Sequence, residues 1–137
     1  MSLFLDIVTP EKKIFSDRVE NVYLPGADGE MGILPMHAGL VTALQPGELR
    51  YLHEGKIHIM AIGSGFAEIT QTKVVVLTDS ALGEAEIDEE KIEAAMKRAE
   101  EQLAASEHDL NSEEVASLQA SLARGAAALH VKRRGIR

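Results

Sequence analysis

The sequence predicts an α+β fold: an N-terminal antiparallel β-sandwich over residues 1–85, followed by a C-terminal antiparallel two-helix hairpin over 86–137. Two observations carry this. All four prolines (Pro10, Pro25, Pro35, Pro46) lie in the first third, and from Glu84 to Arg124 there is neither glycine nor proline. The apolar period changes at the same place, from alternation to a helical three-and-four spacing.

In the first part, runs of β-branched and apolar residues are separated by turn residues. Strands are expected at Leu3–Val8, Ile14–Ser16, Val19–Leu24, Leu40–Leu44, Glu48–His53, Lys56–Ile62, Phe66–Thr70 and Lys73–Thr78. In Lys56–Ile62, alternation sets Ile57, Ile59 and Ala61 against Lys56, His58 and Met60. Short strands at this spacing between Gly/Pro turns suit a sandwich or barrel.

In the second part, Ile92, Met96, Ala99 and Leu103 fall on one helix face, and Val115, Leu118, Leu122, Gly125 and Leu129 make the facing stripe. Asp88 is the expected N-cap of the first helix, with Ile87 and Ile92 as hydrophobic staple. Asn111 repeats the device, with Glu114 at the capping-box position and Leu110 and Val115 as staple. Ser106–Leu110 is then a tight turn between antiparallel helices.

This hairpin has few large apolar residues among its alanines. A buried Leu or Ile contributes roughly 1.5–3 kcal/mol, while each ordered residue costs on the order of 1–2 kcal/mol. The hairpin therefore needs another surface to lean on. It could use its own sandwich in one state and a partner in another.

A hydrophobic fraction of 45% with 26% charged residues places the chain among soluble globular proteins. A net charge of −8 argues against nucleic acid as a partner. No stretch reaches the roughly 18 apolar residues of a membrane span, and the N-terminus lacks the layout of a signal peptide. Zero cysteines exclude disulfides and thiolate metal sites. No phosphate loop, nucleophile elbow, zinc-protease helix or calcium loop occurs. The five histidines are scattered, with no i, i+4 pair, so no metal site is expected. Nothing points to catalysis within the chain.

The segment Gly29-Glu30-Met31-Gly32-Ile33-Leu34-Pro35-Met36-His37-Ala38-Gly39-Leu40 stands apart. Gly26 and Gly29 permit positive φ, and Pro35 pushes Leu34 toward extended geometry. Met31, Ile33, Leu34 and Met36 are too apolar for an ordinary solvated loop. A loop shaped to grip another protein fits, with a turn capping the core as the plainer reading.

This segment resembles the Gly-Glu-(apolar)-Gly-Ile-(Leu/Tyr)-Pro-x-His-Ala-x-Leu signature of the epsilon subunits of F-type rotary, proton-translocating ATP synthases. Gln45-Pro46-Gly47 is similar to their x-Pro-Gly turn. Gly63-Ser64-Gly65-Phe66-Ala67-Glu68-Ile69 is similar to their glycine-rich hairpin, with Ser64 in place of a more usual glycine. Val74–Ala81 and Ile87-Asp88 complete the order, and the resemblance spans residues 3–131.

The resemblance implies a non-catalytic central-stalk subunit that links the gamma subunit to the membrane ring. Its C-terminal arm would restrain ATP hydrolysis. The expected location is peripheral, on the cytoplasmic face of a bacterial plasma membrane. Glu30, Met31, Ile33 and His37 would contact the ring. From Val115 onward there are no acidic residues, and Arg124, Lys132, Arg133, Arg134 and Arg137 are basic. Part of that cluster complements a helix dipole. The resemblance adds an acidic segment of the catalytic beta subunits as a partner for Arg124, Lys132, Arg133 and Arg134.

Some family members bind ATP through an Ile/Leu-Asp-x-x-Arg-Ala pattern, so an ATP-sensing module is the alternative function. Here Ile87, Asp88 and Arg124 match, but Lys91 replaces the arginine, Ile92 the alanine, and Ala128 stands where a further arginine would help. Lysine lacks arginine's bidentate fork, so weak or absent ATP binding and no cofactor are expected. A small hydrolase or isomerase on the sandwich is a third reading, without a motif to support it.

Overall fold

The computed structural model describes residues 2–36, 38–105 and 110–134. Ten strands run in order: β1 (Leu3–Val8), β2 (Lys13–Val19), β3 (Asn21–Gly26), β4 (Gly29–Ile33), β5 (Leu40–Leu44), β6 (Gly47–His53), β7 (Lys56–Ile62), β8 (Gly65–Ile69), β9 (Lys73–Thr78) and β10 (Ala81–Gly83). A single 3₁₀ turn, Glu84–Glu86, leads into α1 (Glu89–Ala105) and α2 (Ser112–Arg134). The expected sandwich-plus-hairpin fold is present. The inter-helix turn lies mostly outside the described residues.

The strands form one continuous sheet, ordered β10-β7-β6-β3-β5-β8-β9-β1-β2, with β4 added on β3. The sheet folds over on itself, bringing Phe15 of β2 onto Tyr51 of β6 with ring centroids 4.5 Å apart. Pairing is antiparallel except between β1 and β9, which run parallel. Alternation sends Leu3, Leu5 and Ile7 of β1 inward, where they meet Val74 and Val76 of β9, Leu24 of β3 and Leu49 of β6 in one core. The structure differs from the sequence reading in several places. β2 is longer and takes in Val19, β3, β6 and β8 shift by one or two residues, β10 is an additional three-residue strand, and β4 replaces the start of the expected loop.

Both helices start as expected. The Asp88 carboxylate accepts the Lys91 backbone N–H at 3.2 Å, and the Asn111 side-chain oxygen accepts that of Glu114 at 2.8 Å. The second half of the box differs, because the Asn111 amide, rather than its backbone, donates to Glu114 Oε1 at 3.0 Å. A Cβ on Gly125 would sit 2.7 Å from Met96, so glycine lets the two helices approach. Burial is greatest at Ala99 midway along α1 and at Ala127, Ala128, Leu129 and Val131 toward the end of α2, while Leu103, Val115 and Leu118 are only half-buried. The hairpin is thus thinly cored at its far end. It rests on the sandwich through a small second cluster of Ala61, Ile87, Ala128 and Val131.

Asp6 is a buried charge, with Lys73 Nζ 3.4 Å and Lys13 Nζ 3.9 Å away. A hydrogen bond from Ser16, its partner across the strand pair, holds the Asp6 carboxyl below the usual carboxylate range; the two lysines add to this and burial opposes it. A folded-state pKa below the unfolded one gives stability that is complete above the unfolded value. That stability is lost as pH falls through the folded value. Asp6→Asn should therefore flatten the fall in stability that sets in as pH drops below about 4. Urea midpoints across that range check it; a slope equal to that of the wild type would contradict it.

Candidate functional site

The β3–β4 hairpin takes up the first five residues, Gly29–Ile33, of the grip loop read from the sequence. Gly29, at φ 130°, makes the turn, whereas Gly26 does not adopt positive φ. From there, alternation turns Met31 and Ile33 inward and leaves Glu30 and Gly32 outward. Ile33, expected from the sequence to be a contact residue, is 1% exposed, so its side chain has no surface to offer a partner in this conformation. Met31 is half-buried against the core. His37 lies outside the described residues. The exposed apolar groups here are Leu34 at 58% and Met36 at 54%, both too apolar for a solvated loop by sequence but not among the expected ring contacts. Their signal was available: two-residue alternation from Met31 points 31 and 33 to one face. Met36 holds a left-handed backbone, φ 67°, and donates its N–H to Gln71 O at 2.8 Å. Such strain in a non-glycine residue persists only where the surroundings enforce it.

Strand register places a charged row on the outer face of β4, β3, β6 and β7. Glu30 pairs with Pro25, Tyr23 with Arg50, and Glu48 with Ala61. Arg50 Nη1 lies 3.0 Å from Glu30 Oε2 and 2.8 Å from Glu48 Oε2. Its guanidinium sits 4.6 Å from the Tyr23 ring centroid, an attractive cation–π placement. The Tyr23 ring in turn covers Gly32, where a Cβ would come within 2.9 Å of it. The Glu48 hydrogen bond, assisted by Glu30, raises the Arg50 pKa above its ordinary value, although burial opposes this. Arg50 is a permanent cation between two carboxylates.

α2 docks on this face, and its basic residues are not free. Arg134 Nη1 donates to Glu48 Oε2 at 2.6 Å, and His130 Nε2 lies 3.7 Å from Glu48 Oε1. Lys132 Nζ donates to the Glu84 carbonyl at 3.2 Å. Arg124 Nη1 lies 3.7 Å from Asp79 Oδ2, and Arg133 reaches Glu89 and Glu93 at 3.2 and 3.0 Å. All four residues expected to face an acidic partner are engaged within the chain in this conformation. The Glu48 side chain is 8% exposed, which makes it the buried centre of the contact between arm and sandwich.

The candidate ATP contacts are also largely occupied. Ile87 is buried in the cluster beneath α2, and Asp88 caps α1. Arg124 lines a cleft of about 320 Å³ between hairpin and sandwich, together with Ile62, Ser80, Ile92, Met96 and Ser121. Its guanidinium already donates to Ser121 Oγ at 3.0 Å and faces Asp79. One paired cation in a mainly apolar cleft is a poor match for a triphosphate. Among the described residues, no three metal-ligating side chains converge. No described helix is long and apolar enough to cross a membrane.

A second surface lies on the outer face of β5, β8 and β9. Register aligns Ala43 with Phe66 and Phe66 with Leu77, while Val41 lies two residues before Ala43 on the same face. Val41, Phe66 and Leu77 are all exposed, which makes this an apolar patch of the kind that marks protein contacts.

Residues 2–84 match the family model of the ATP synthase Delta/Epsilon chain β-sandwich domain. The chain is 49% identical over 114 residues to an ATP synthase epsilon chain of Desulforamulus reducens, covering 82% of this chain and 86% of that one. It is 40% identical to the epsilon chain of Nitratidesulfovibrio vulgaris, with 96% of each covered. Among solved structures, it resembles a chain in the Euglena gracilis mitochondrial ATP synthase, described as OSCP/F1/c-ring in rotational state 1. The TM-score is 0.75 at 26% identity, covering 94% of this chain and 79% of that one. A chain of the Tetrahymena thermophila mitochondrial ATP synthase, at 10% identity and a TM-score of 0.60, shares the fold.

Proposed function

The chain belongs to the epsilon-chain family of ATP synthases, and from that premise we propose that it is a non-catalytic rotor subunit joining the gamma subunit to the membrane ring. One observation carries the reading. A chain sharing its fold across 94% of its length lies in an ATP synthase assembly described as OSCP/F1/c-ring. The two exposed apolar surfaces supply the two contacts such a link needs. The outer face of β5, β8 and β9, with Val41, Phe66 and Leu77, takes the gamma subunit. Glu30, Leu34 and Met36 take the polar loops of the ring, with Met31 behind them. The subunit acts at the cytoplasmic face of a bacterial plasma membrane, peripherally, through the complex.

Residues 86–137 form the regulatory arm, and the docked state is the conformation seen in this structure. In the extended state, Arg124, Lys132, Arg133 and Arg134 would exchange Asp79, the Glu84 carbonyl, Glu89, Glu93 and Glu48 for the acidic segment of the beta subunits. The two states then differ by a few kcal/mol at most, because every ion pair broken on undocking is replaced by another on the partner. That is what a reversible restraint on hydrolysis requires.

Cysteine crosslinking tests the ring contact. The chain has no cysteine of its own, so single probes report alone. Leu34→Cys should crosslink to cysteines on the ring loops, and Ser64→Cys, exposed in the β7–β8 turn at the opposite end of the sheet, should not. Crosslinks at position 64 with none at 34 would reverse the assignment.

The ATP-sensing alternative predicts tight nucleotide binding by the isolated chain. The absence of two charge-assisted hydrogen bonds, each worth about 1.5–3 kcal/mol, should instead leave affinity orders of magnitude weaker than micromolar. Calorimetric titration decides, and micromolar binding would favour the sensor.

A further inference from the structure

We infer that Arg50 couples the β3–β4 hairpin to the docking of the C-terminal arm, through the charge chain Glu30–Arg50–Glu48–Arg134. The links are short: 3.0 Å from Glu30 to Arg50, 2.8 Å from Arg50 to Glu48, and 2.6 Å from Glu48 to Arg134. Signs alternate along the chain, and it crosses from one strand edge to the last turn of α2.

The direction of coupling follows from the charges. With Glu30 ionised and paired, the sandwich side (Glu30, Arg50, Glu48) carries one net negative charge, which Arg134 neutralises on docking. If Glu30 is neutralised or drawn to a partner's cation, Arg50 turns fully on Glu48. The sandwich side is then neutral, and Arg134 brings an uncompensated positive charge close to Arg50. Docking loses its electrostatic gain and the arm loosens. Tyr23 keeps this exchange local, since its ring holds the guanidinium from below and itself rests over Gly32. The coupling is within the chain and stands on this geometry alone. Its use by the ring rests on the proposed contact at Glu30.

Thiol labelling of the free, full-length subunit tests it. Ala128, on the side of α2 that packs against Ala61 of the sandwich, is 3% exposed, and Ala128→Cys in a cysteine-free chain reports undocking by its rate of maleimide reaction. Glu48→Gln and Arg134→Gln should each raise the rate strongly. Glu30→Gln should raise it by roughly two- to tenfold, the range expected for coupling within one charge network. In an Arg134→Gln background, Glu30→Gln should add nothing.

A Glu30→Gln rate equal to the parent would overturn the proposal, and so would an equal increase in both backgrounds. Ala67→Cys, at 0% exposed in the sandwich core, must stay protected throughout. Its labelling in Glu30→Gln would mean lost folding rather than a freed arm, and would also overturn the proposal. The assay contains no ring subunit, so a failed crosslink at position 34 would leave its result standing.

Discussion

A chain ending after Ala85 is expected to fold as a soluble β-sandwich, to join gamma and the ring, and to release ATP hydrolysis by the assembled enzyme. Every residue of the main core lies between Leu3 and Ala81, and neither helix contributes to it. Truncation removes only the small cluster around Ile87, Ala128 and Val131, and leaves Ala61, Ile59 and Leu82 uncovered. That newly bared patch lowers solubility at high concentration, but the strands keep all their pairings. Circular dichroism of the fragment and hydrolysis by the reconstituted enzyme read the two parts separately. An unfolded fragment would contradict the boundary, and unchanged hydrolysis would contradict the arm's role.

Gly65→Ala should destabilise the sandwich by about 1–3 kcal/mol or more, as overpacking in a rigid site does. A Cβ there would fall 1.9 Å from the Leu77 carbonyl oxygen and 2.8 Å from Thr78 Cα. Both are backbone atoms of the neighbouring strand, and that strand is paired on its other side with β1. Neither can yield without breaking the sheet. Ser64→Ala is the matched control. The Ser64 side chain is exposed, and the residue serves β9 through its backbone carbonyl, which accepts the Asp79 N–H and the Thr78 hydroxyl. Urea midpoints should fall sharply for Gly65→Ala and hardly move for Ser64→Ala. Equal midpoints for the two variants would contradict the packing account.

The same contrast shows what could be read from the sequence. In Gly63-Ser64-Gly65 the departure from the family pattern falls at the one position where a side chain fits. Strands bounded on both sides by turn residues, such as Lys56–Ile62 and Lys73–Thr78, were legible to the residue. β4 was not, because two of its five residues are glycine and it leads into Leu34-Pro35 without a polar break. The consequence reaches the site: a loop would present Ile33, whereas the strand buries Ile33 and leaves Glu30 outward.

The helix caps were legible because they are local. The destination of the basic cluster was not. Arg134 meets Glu48 across 86 positions of sequence and Lys132 meets the Glu84 carbonyl across 48. No pattern in either segment announces the other. Charge segregation between Glu84–Glu114 and the C-terminus signalled that the arm pairs with something acidic; only the fold shows that its own sandwich comes first.

The rotor assignment is tested most directly by purifying the tagged full-length chain from detergent-solubilised membranes of cells that express it as their only epsilon subunit. The gamma and ring subunits should come with it in fixed stoichiometry, and the Val41→Glu, Phe66→Glu double variant on the apolar patch should lose gamma. Recovery of the chain without gamma or ring subunits would contradict the account.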